Sequence, residues 1–185
     1  VETMREIADV ARRTAEEARD RETFLALMWS LSYPARPHTL PVGDPLHLIG
    51  HALLDLETSF YTPDIALMQA LHRTGARATQ PPTAAYHFYA QLDDAALRTI
   101  SEASVGTLSY PDTSATLIIA ASFSGGAAYR LSGPGIQGSA VIAPALPREF
   151  WERRAQARFP LGWDVFLVEG SRVIGLPRSA HAVEV

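Results

Sequence analysis

The chain of 185 residues contains neither cysteine nor lysine. Without cysteine it has no thiol nucleophile, no iron–sulfur ligands and no cysteine-based zinc site. Without lysine it can form neither a Schiff base nor a P-loop phosphate site. All 16 basic residues are therefore arginine, a planar donor that suits ion pairs, interfaces and phosphate or carboxylate recognition better than proton transfer. If these arginines contribute to catalysis, we expect them to hold a substrate in place rather than to react with it.

Positive charge and long apolar runs are scarce as well. The net charge is -4 and the isoelectric point is about 5.8, so there is no basic field for duplex nucleic acid or an anionic membrane. No stretch approaches the roughly 18 apolar residues of a membrane span, and the first residues are charged rather than signal-like. We expect a soluble, cytoplasmic protein that binds neither nucleic acid nor a membrane.

Length and periodicity predict a single α/β domain over residues 1–185. Helices are predicted at 1–33, 47–56, 63–75, 93–100 and 147–158. Strands are predicted at 83–89, 116–123, 128–131 and 139–142 and in a hairpin of 164–168 with 172–176, with a short strand at 60–61 left open. Helices dominate the first half and strands the second, which favours a layered domain with a mixed β-sheet flanked by helices.

The first helix changes character along its length. Thr3 and Glu6 fit a capping box, and residues 1–22, a charged N-terminal helical extension, hold 12 of the 36 charged residues, as expected of a solvated helix face. From Phe24 to Leu31 the helix turns apolar, which predicts burial.

Residues 101–145 have only three charged residues; a sheet core and the centre of a protein interface both explain such depletion.

Several groups could carry chemistry, and each also has a structural interpretation. His47, His51 and Asp55 would share one face of a helix with metal-ligand spacing, although the sequence marks no fourth ligand. The other histidines are isolated and are expected to be surface or satisfied groups: His38, His72, His87 and His181.

Glycine-rich turns at 125–126 and 133–135 could present amides to an anion, or could simply be tight turns at strand ends. Asp164 could be a catalytic carboxylate, but we favour an anchor for loop amides. No G-x-S-x-G elbow supports a serine hydrolase built on one of the candidate serines, Ser122, Ser124, Ser132 and Ser139.

Three motifs follow one another in the last third: Leu131-Ser132-Gly133-Pro134-Gly135-Ile136, Phe159-Pro160-Leu161-Gly162-Trp163-Asp164 and Leu176-Pro177-Arg178-Ser179. Upstream, in the same order, stand 24–34, Leu53-Leu54-Asp55-Leu56-Glu57-Thr58, His72-Arg73-Thr74-Gly75, Gly106-Thr107 and Ser124-Gly125-Gly126. Over about residues 24–185 this ordered set resembles the PhnH family, a component of the bacterial carbon–phosphorus lyase system. Ala35, where the family usually has glycine, and the longer N-terminal helix depart from the pattern, and His51 is not part of it.

The resemblance implies a subunit of the cytoplasmic complex that degrades phosphonates, associated with the G, I and L subunits in making α-D-ribose 1-methylphosphonate 5-triphosphate from ATP and methylphosphonate. The radical cleavage step belongs to a different, iron–sulfur subunit. The implied fold is similar to the large domain of pyridoxal-phosphate-dependent transferases without the cofactor, and no catalytic residue, metal or cofactor carries over. The implied partners are the G, I and J subunits, and a homodimer of the isolated chain is left open.

Two other hypotheses remain beside an accessory, docking subunit. An independent small-molecule enzyme would hold a phosphate or phosphonate at the glycine-rich turns and complete its site with Asp164 and either Arg130 or Arg178. A metal-dependent hydrolase would need an ion bound by His47, His51 and Asp55.

Overall fold

The computed structural model describes the backbone of residues 2–185 and the side chains of residues 14–185. The capping box expected at Thr3 and Glu6 lies outside the described side chains. Within the described part, the helices are α1 (Glu2–Ser32), α2 (Pro45–Leu53), α3 (Ile65–Leu71), α4 (Asp94–Ile100) and α5 (Arg148–Gln156). The strands are β1 (His38–Thr39), β2 (Ser59–Tyr61), β3 (Arg77–Ala78), β4 (Tyr86–Tyr89), β5 (Thr116–Ala120), β6 (Tyr129–Ser132), β7 (Ala140–Ile142), β8 (Asp164–Glu169), β9 (Arg172–Leu176) and β10 (His181–Glu184).

Seven strands form a mixed sheet in the order β1-β9-β8-β5-β4-β2-β3. The run from β8 to β3 is parallel, while β9 lies antiparallel to both β8 and β1. The hairpin of β8 and β9 was predicted from the sequence. The edge strands β1 and β3, of two residues each, were not.

A second sheet of three antiparallel strands has the order β10-β6-β7. The sequence indicated β6 and β7 but not their separation from the main sheet, and β10 was not predicted at all. β10 is mostly exposed and its side chains lack the apolar alternation of a half-buried strand, so it is recognisable only through its pairing with β6.

The large sheet is the middle of three layers. Alternate residues of β5 point to opposite sides: Ile118 packs with α1, α2 and α3, whereas Leu117 and Ile119 pack with α4, α5 and the small sheet. All three side chains are fully buried. A strand covered on both faces needs apolar residues on both, which explains the continuous apolar run in the sequence.

The prediction that 24–31 would be buried was wrong for half of that segment. Ala26, Leu27 and Ser30 are buried against the sheet, but Phe24, Leu25, Met28 and Trp29 are partly exposed. A helix on a sheet buries only the stripe that faces it, so apolar residues on the opposite stripe stay accessible.

Helix boundaries follow local capping chemistry. The side chains of Asp44, Asp64 and Asp93 accept hydrogen bonds from the third amide beyond each, at 2.8–3.0 Å. α2 therefore starts earlier than expected, and it ends at Leu53 rather than 56, because Leu54 is extended and Asp55 turns the chain by accepting from the amides of Glu57 and Thr58. Likewise α5 stops at Gln156, because Ala157 is extended.

α1 touches the sheet backbone directly at Gly175 of β9. A Cβ at this position would lie 2.5 Å from the carbonyl carbon and oxygen of Ser30. The close approach of helix to strand therefore depends on the missing side chain.

Gly175→Ala should lower the free energy of unfolding by about 2 kcal/mol, because helix and strand must separate to admit a methyl group. The control is Gly170→Ala in the β8–β9 turn, where the Cβ meets open space and the only strain is a φ of 57°. It should lose about 1 kcal/mol or less. Urea denaturation of both variants decides; a Gly175→Ala loss no larger than the control's would contradict the close approach.

A buried polar cluster lies in β4, where His87 is fully buried. Its Nδ1 is 3.1 Å from the hydroxyl oxygen of Tyr89, which in turn lies 3.1 Å from Oγ1 of Thr99. Burial lowers the pKa of His87 to about 4, although the Ala84 and Pro81 carbonyls oppose this shift. His87 is thus neutral in the folded protein and is a core residue rather than a surface histidine.

This shift predicts a pH-dependent stability. Below the unfolded pKa of 6.5 the unfolded chain binds a proton that the folded chain excludes, so stability is full above pH 6.5 and falls as the pH drops toward 4. Between pH 7.5 and 5 the loss from His87 should be about 2 kcal/mol by urea denaturation. His87→Gln should lose that part of the slope, and His181→Gln, at an exposed position, should keep it.

Candidate functional site

Asp164 and Arg178 form an ion pair that joins two of the C-terminal motifs. Oδ1 of Asp164 accepts from the Arg178 amide at 2.8 Å, and Oδ2 accepts from Nη2 at 2.7 Å and Nε at 3.2 Å. Both side chains are 21% exposed. Arg178 also donates through Nη1 to the carbonyl of Pro111. Both carboxylate oxygens are thus engaged, which supports the anchoring interpretation of Asp164 over a catalytic one.

Arg154 of α5 is a second anchor beside this pair. Its guanidinium donates to the carbonyls of Trp163 at 2.7 Å, Pro177 at 2.6 Å and Leu176 at 3.4 Å. Burial lowers the pKa of Arg154 to about 10, while the charge of Asp164 opposes the shift. The group remains charged at neutral pH and ties the end of α5 to the start of β8 and the end of β9.

A cleft of about 420 Å³ opens beside these anchors, and we call it the arginine cleft. Its polar wall includes Arg154, Arg158, Arg178 and His181, and its apolar wall includes Trp151, Phe159, Leu161 and Trp163. A second cleft, of about 510 Å³, shares Arg158, Phe159, Leu161 and Trp163 with it. Asp164 lies at the amino ends of the parallel strands, so the arginine cleft is at the edge opposite the usual ligand crevice of open α/β sheets.

The glycine-rich turns have structural roles. The amide of Gly126 donates to the Ala143 carbonyl at 3.0 Å, and a Cβ there would lie 1.8 Å from the Pro144 carbonyl oxygen. A Cβ on Gly135 would lie 2.2 Å from the carbonyl oxygen of Ser32. At both turns a glycine allows the backbone to pack against a neighbouring backbone segment, which agrees with the interpretation of these sequences as tight turns.

Other sequence candidates lie away from the arginine cleft. Arg130 is exposed on the small sheet, in register with Val141 and Val183, and does not join Asp164 and Arg178. The hydroxyl of Ser122 donates to Glu169 at 2.7 Å rather than to a histidine. That bond lowers the pKa of Glu169, helped by the Phe123 amide and Arg172.

The metal hypothesis on His47, His51 and Asp55 fails, because α2 ends before Asp55 and the three do not share a helix face. Nδ1 of His47 instead pairs with Asp44 at 2.7 Å. Among the side chains that the structure describes, no three histidine, aspartate or glutamate residues are grouped closely enough to hold a metal ion.

Sequence reasoning missed two arginines of the cleft, Arg154 and Arg158. They are four residues apart, in a segment with three arginines between 153 and 158, in a chain of net negative charge. Helical spacing does not explain their proximity, because α5 ends at Gln156 and Arg158 lies beyond it. The chain that leaves α5 brings Arg158 to the same cleft as Arg154.

A second surface stands out on the other side of the sheet, the apolar face of α1: Phe24, Leu25, Met28, Trp29 and Tyr33. The rings of Trp29 and Tyr33 are stacked with centroids 5.6 Å apart, and the Arg36 guanidinium lies 5.7 Å from the centroid of Tyr33. Nearly half of Trp29 is accessible to solvent, at 45% exposure. A groove of about 380 Å³ separates this face from the edge strand β1.

No helix within residues 2–185 combines the length and the apolar composition needed to cross a membrane.

Comparison with known proteins supports the family resemblance drawn from the sequence. The family model described as "Bacterial phosphonate metabolism protein (PhnH)" matches residues 13–183. A relative in Stutzerimonas stutzeri, named "Putative C-P lyase subunit protein HtxG", is 32% identical over 183 residues, covering 94% of this chain and 91% of that protein. A relative in Rhizobium meliloti (strain 1021) is named "Alpha-D-ribose 1-methylphosphonate 5-triphosphate synthase subunit PhnH". It is 31% identical over 166 residues, which cover 80% of this chain and 78% of that protein. The chain belongs to the PhnH family.

Asp164→Asn should lower the free energy of unfolding by about 1–3 kcal/mol, because it leaves the guanidinium of Arg178 partly buried without its charge partner. Glu152→Gln is the matched control; it breaks the Arg148–Glu152 pair, whose side chains are 70% and 62% exposed. It should lose at most about 0.5 kcal/mol. Urea denaturation measures both, and equal losses would refute the anchoring role of Asp164.

Proposed function

We propose that this chain is an accessory subunit of a carbon–phosphorus lyase complex in phosphonate catabolism. Its part would be structural, in the assembly that forms α-D-ribose 1-methylphosphonate 5-triphosphate from ATP and methylphosphonate. Family membership and the names of the two relatives support this proposal. The implied partners are the G, I and J subunits, and the proposed location is the cytoplasm. A likeness to the large domain of pyridoxal-phosphate-dependent transferases is part of the proposal, supported by a mixed seven-stranded sheet between helical layers.

The observation that carries the docking role is the apolar face of α1. Phe24, Met28 and Trp29 are each between 41% and 49% exposed on one helix surface. Burying such a patch against a neighbour gives a gross gain of about 25 cal/mol per Å² of apolar area removed from water, from which the entropy lost on association is subtracted. Trp and Tyr are also the residues that most often dominate the binding energy of protein interfaces.

The geometry of Asp164 favours this role over an independent enzyme. That hypothesis needs a carboxyl group free to exchange a proton, together with the glycine-rich turns and an arginine. Asp164 is bound through both oxygens to Arg178, and the turns pack backbone against backbone. We take the occupant of the apolar face of α1 to be another subunit of the phosphonate complex.

Co-purification tests the proposal. The tagged chain is expressed with the other phosphonate-complex subunits, omitting each in turn, and the mass of each product is measured by light scattering. We expect stable incorporation that depends on one particular subunit. Recovery of the tagged chain with none of them, or turnover of a phosphorylated compound by the isolated chain, would contradict the proposal.

Trp29→Glu should reduce recovery of the partner at least tenfold, because it places a charge in the proposed interface. Ile65→Glu is the matched control: it makes the same change on α3, at a residue 69% exposed, and should leave recovery unchanged. Both variants must keep the thermal midpoint of the isolated parent. If Trp29→Glu assembles as the parent does, the apolar face of α1 is not the contact surface.

A further inference from the structure

The arginine cleft combines local positive charge with an apolar wall in a chain that is acidic overall. Arg154, Arg158 and Arg178 line it, and Asp164 is the carboxylate that pairs with one of them. In the ion pairs that the described side chains form, Arg154 and Arg158 have no carboxylate partner. Two guanidinium groups at one cleft are therefore outside any of these ion pairs, although the charge of Asp164 still acts on Arg154.

Arg154 is held in a fixed orientation. Its three hydrogen bonds go to backbone carbonyls, so its position is set while its full charge is retained. These bonds use three of the five guanidinium N–H groups. A largely buried guanidinium held by carbonyl dipoles, with Asp164 nearby but engaged by Arg178, still makes binding of an anion beside it favourable.

Arg158 supplies the exposed half of the site. It is exposed, lies on the wall shared by the two clefts, and follows the end of α5 by two residues. An exposed arginine next to a fixed one suits a bidentate clamp on a tetrahedral oxyanion. Its backbone carbonyl accepts from the Leu161 amide at 3.0 Å, but its side chain takes part in none of the hydrogen bonds or ion pairs described above, so a substitution there should leave α5 undisturbed.

The apolar wall of the arginine cleft indicates what kind of organic group the ligand carries. Phe159 is 63% exposed at the mouth shared by the two clefts, and Trp163 lies behind it, 4% exposed. A cleft of about 420 Å³ is within the range of small-molecule sites and is concave, unlike the surface that a protein segment would cover. Apolar walls of this kind favour a ligand with a flat or aliphatic group next to its anion.

We propose that the arginine cleft binds a small molecule carrying a phosphate or phosphonate dianion, held by Arg154 and Arg158, with its organic group against Phe159. This site lies across the sheet from the apolar face of α1 and does not depend on the docking role. The proposal concerns binding alone: no covalent bond of the ligand is made or broken in the cleft.

Phenylphosphonate is the probe, titrated into the full chain by calorimetry with inorganic phosphate as the smaller anion and benzyl alcohol as the neutral analogue. We expect saturable binding of phenylphosphonate, several-fold weaker binding of phosphate, and no binding of benzyl alcohol. Arg158→Gln should weaken phenylphosphonate binding at least tenfold. Arg73→Gln removes the same charge at an exposed position outside both clefts and should change affinity less than twofold.

Tryptophan emission provides a second readout, because Trp151 and Trp163 line the cleft whereas Trp29 lies on α1. A Trp29→Phe chain should keep the ligand-induced change. The proposal is overturned if binding is not saturable, or if Arg73→Gln weakens it as much as Arg158→Gln does, which would mean nonspecific charge attraction. It is equally overturned if Arg158→Gln leaves phenylphosphonate binding intact but impairs assembly with a partner, since the cleft would then receive an acidic protein segment.

Discussion

The guanidinium of Arg154, with the Asp164–Arg178 pair beside it, determines how the two sheets are joined. The chain passes between the sheets after β5, after β7 and after β9, and the last of these connections, residues 177–180 between β9 and β10, is the shortest. Arg154 binds the Leu176 and Pro177 carbonyls at the start of that connection, and Asp164 holds the Arg178 amide in its middle. Stacking of Trp151 on Tyr129, with centroids 4.1 Å apart, then fixes α5 against the small sheet. The shape of the arginine cleft follows from these contacts.

Local chemistry made much of this fold predictable. The aspartates that cap α3 and α4, the apolar run of β5 and the β8–β9 hairpin are each determined by residues close in sequence. The small sheet was not predictable in the same way, because β10 has no apolar alternation and pairs with β6, which is distant in sequence. Local rules also misplaced Asp55, since the side-chain bonds that turn the chain there compete with continuation of α2.

The candidate site was predictable only in part. Asp164 and Arg178 stand in two of the ordered C-terminal motifs of the sequence, and the structure brings them together. Arg154 and Arg158 belong to a segment whose spacing was visible, but which side of the sheet that segment covers depends on long-range packing. The exposure of Trp29 was missed for a related reason: an apolar helix segment predicts burial, yet only the stripe toward the sheet is buried.

The two surfaces lie on opposite faces of the large sheet, α1 with one core cluster and α5 with the other. This separation lets a subunit dock through one face and keep the other open to small molecules.

Hydrogen exchange, compared between the isolated chain and the assembled phosphonate complex, tests the docking claim most directly. We predict slower exchange of the amides of residues 24–33 in the complex and unchanged exchange in α3. Equal exchange at 24–33 in both states would contradict the account.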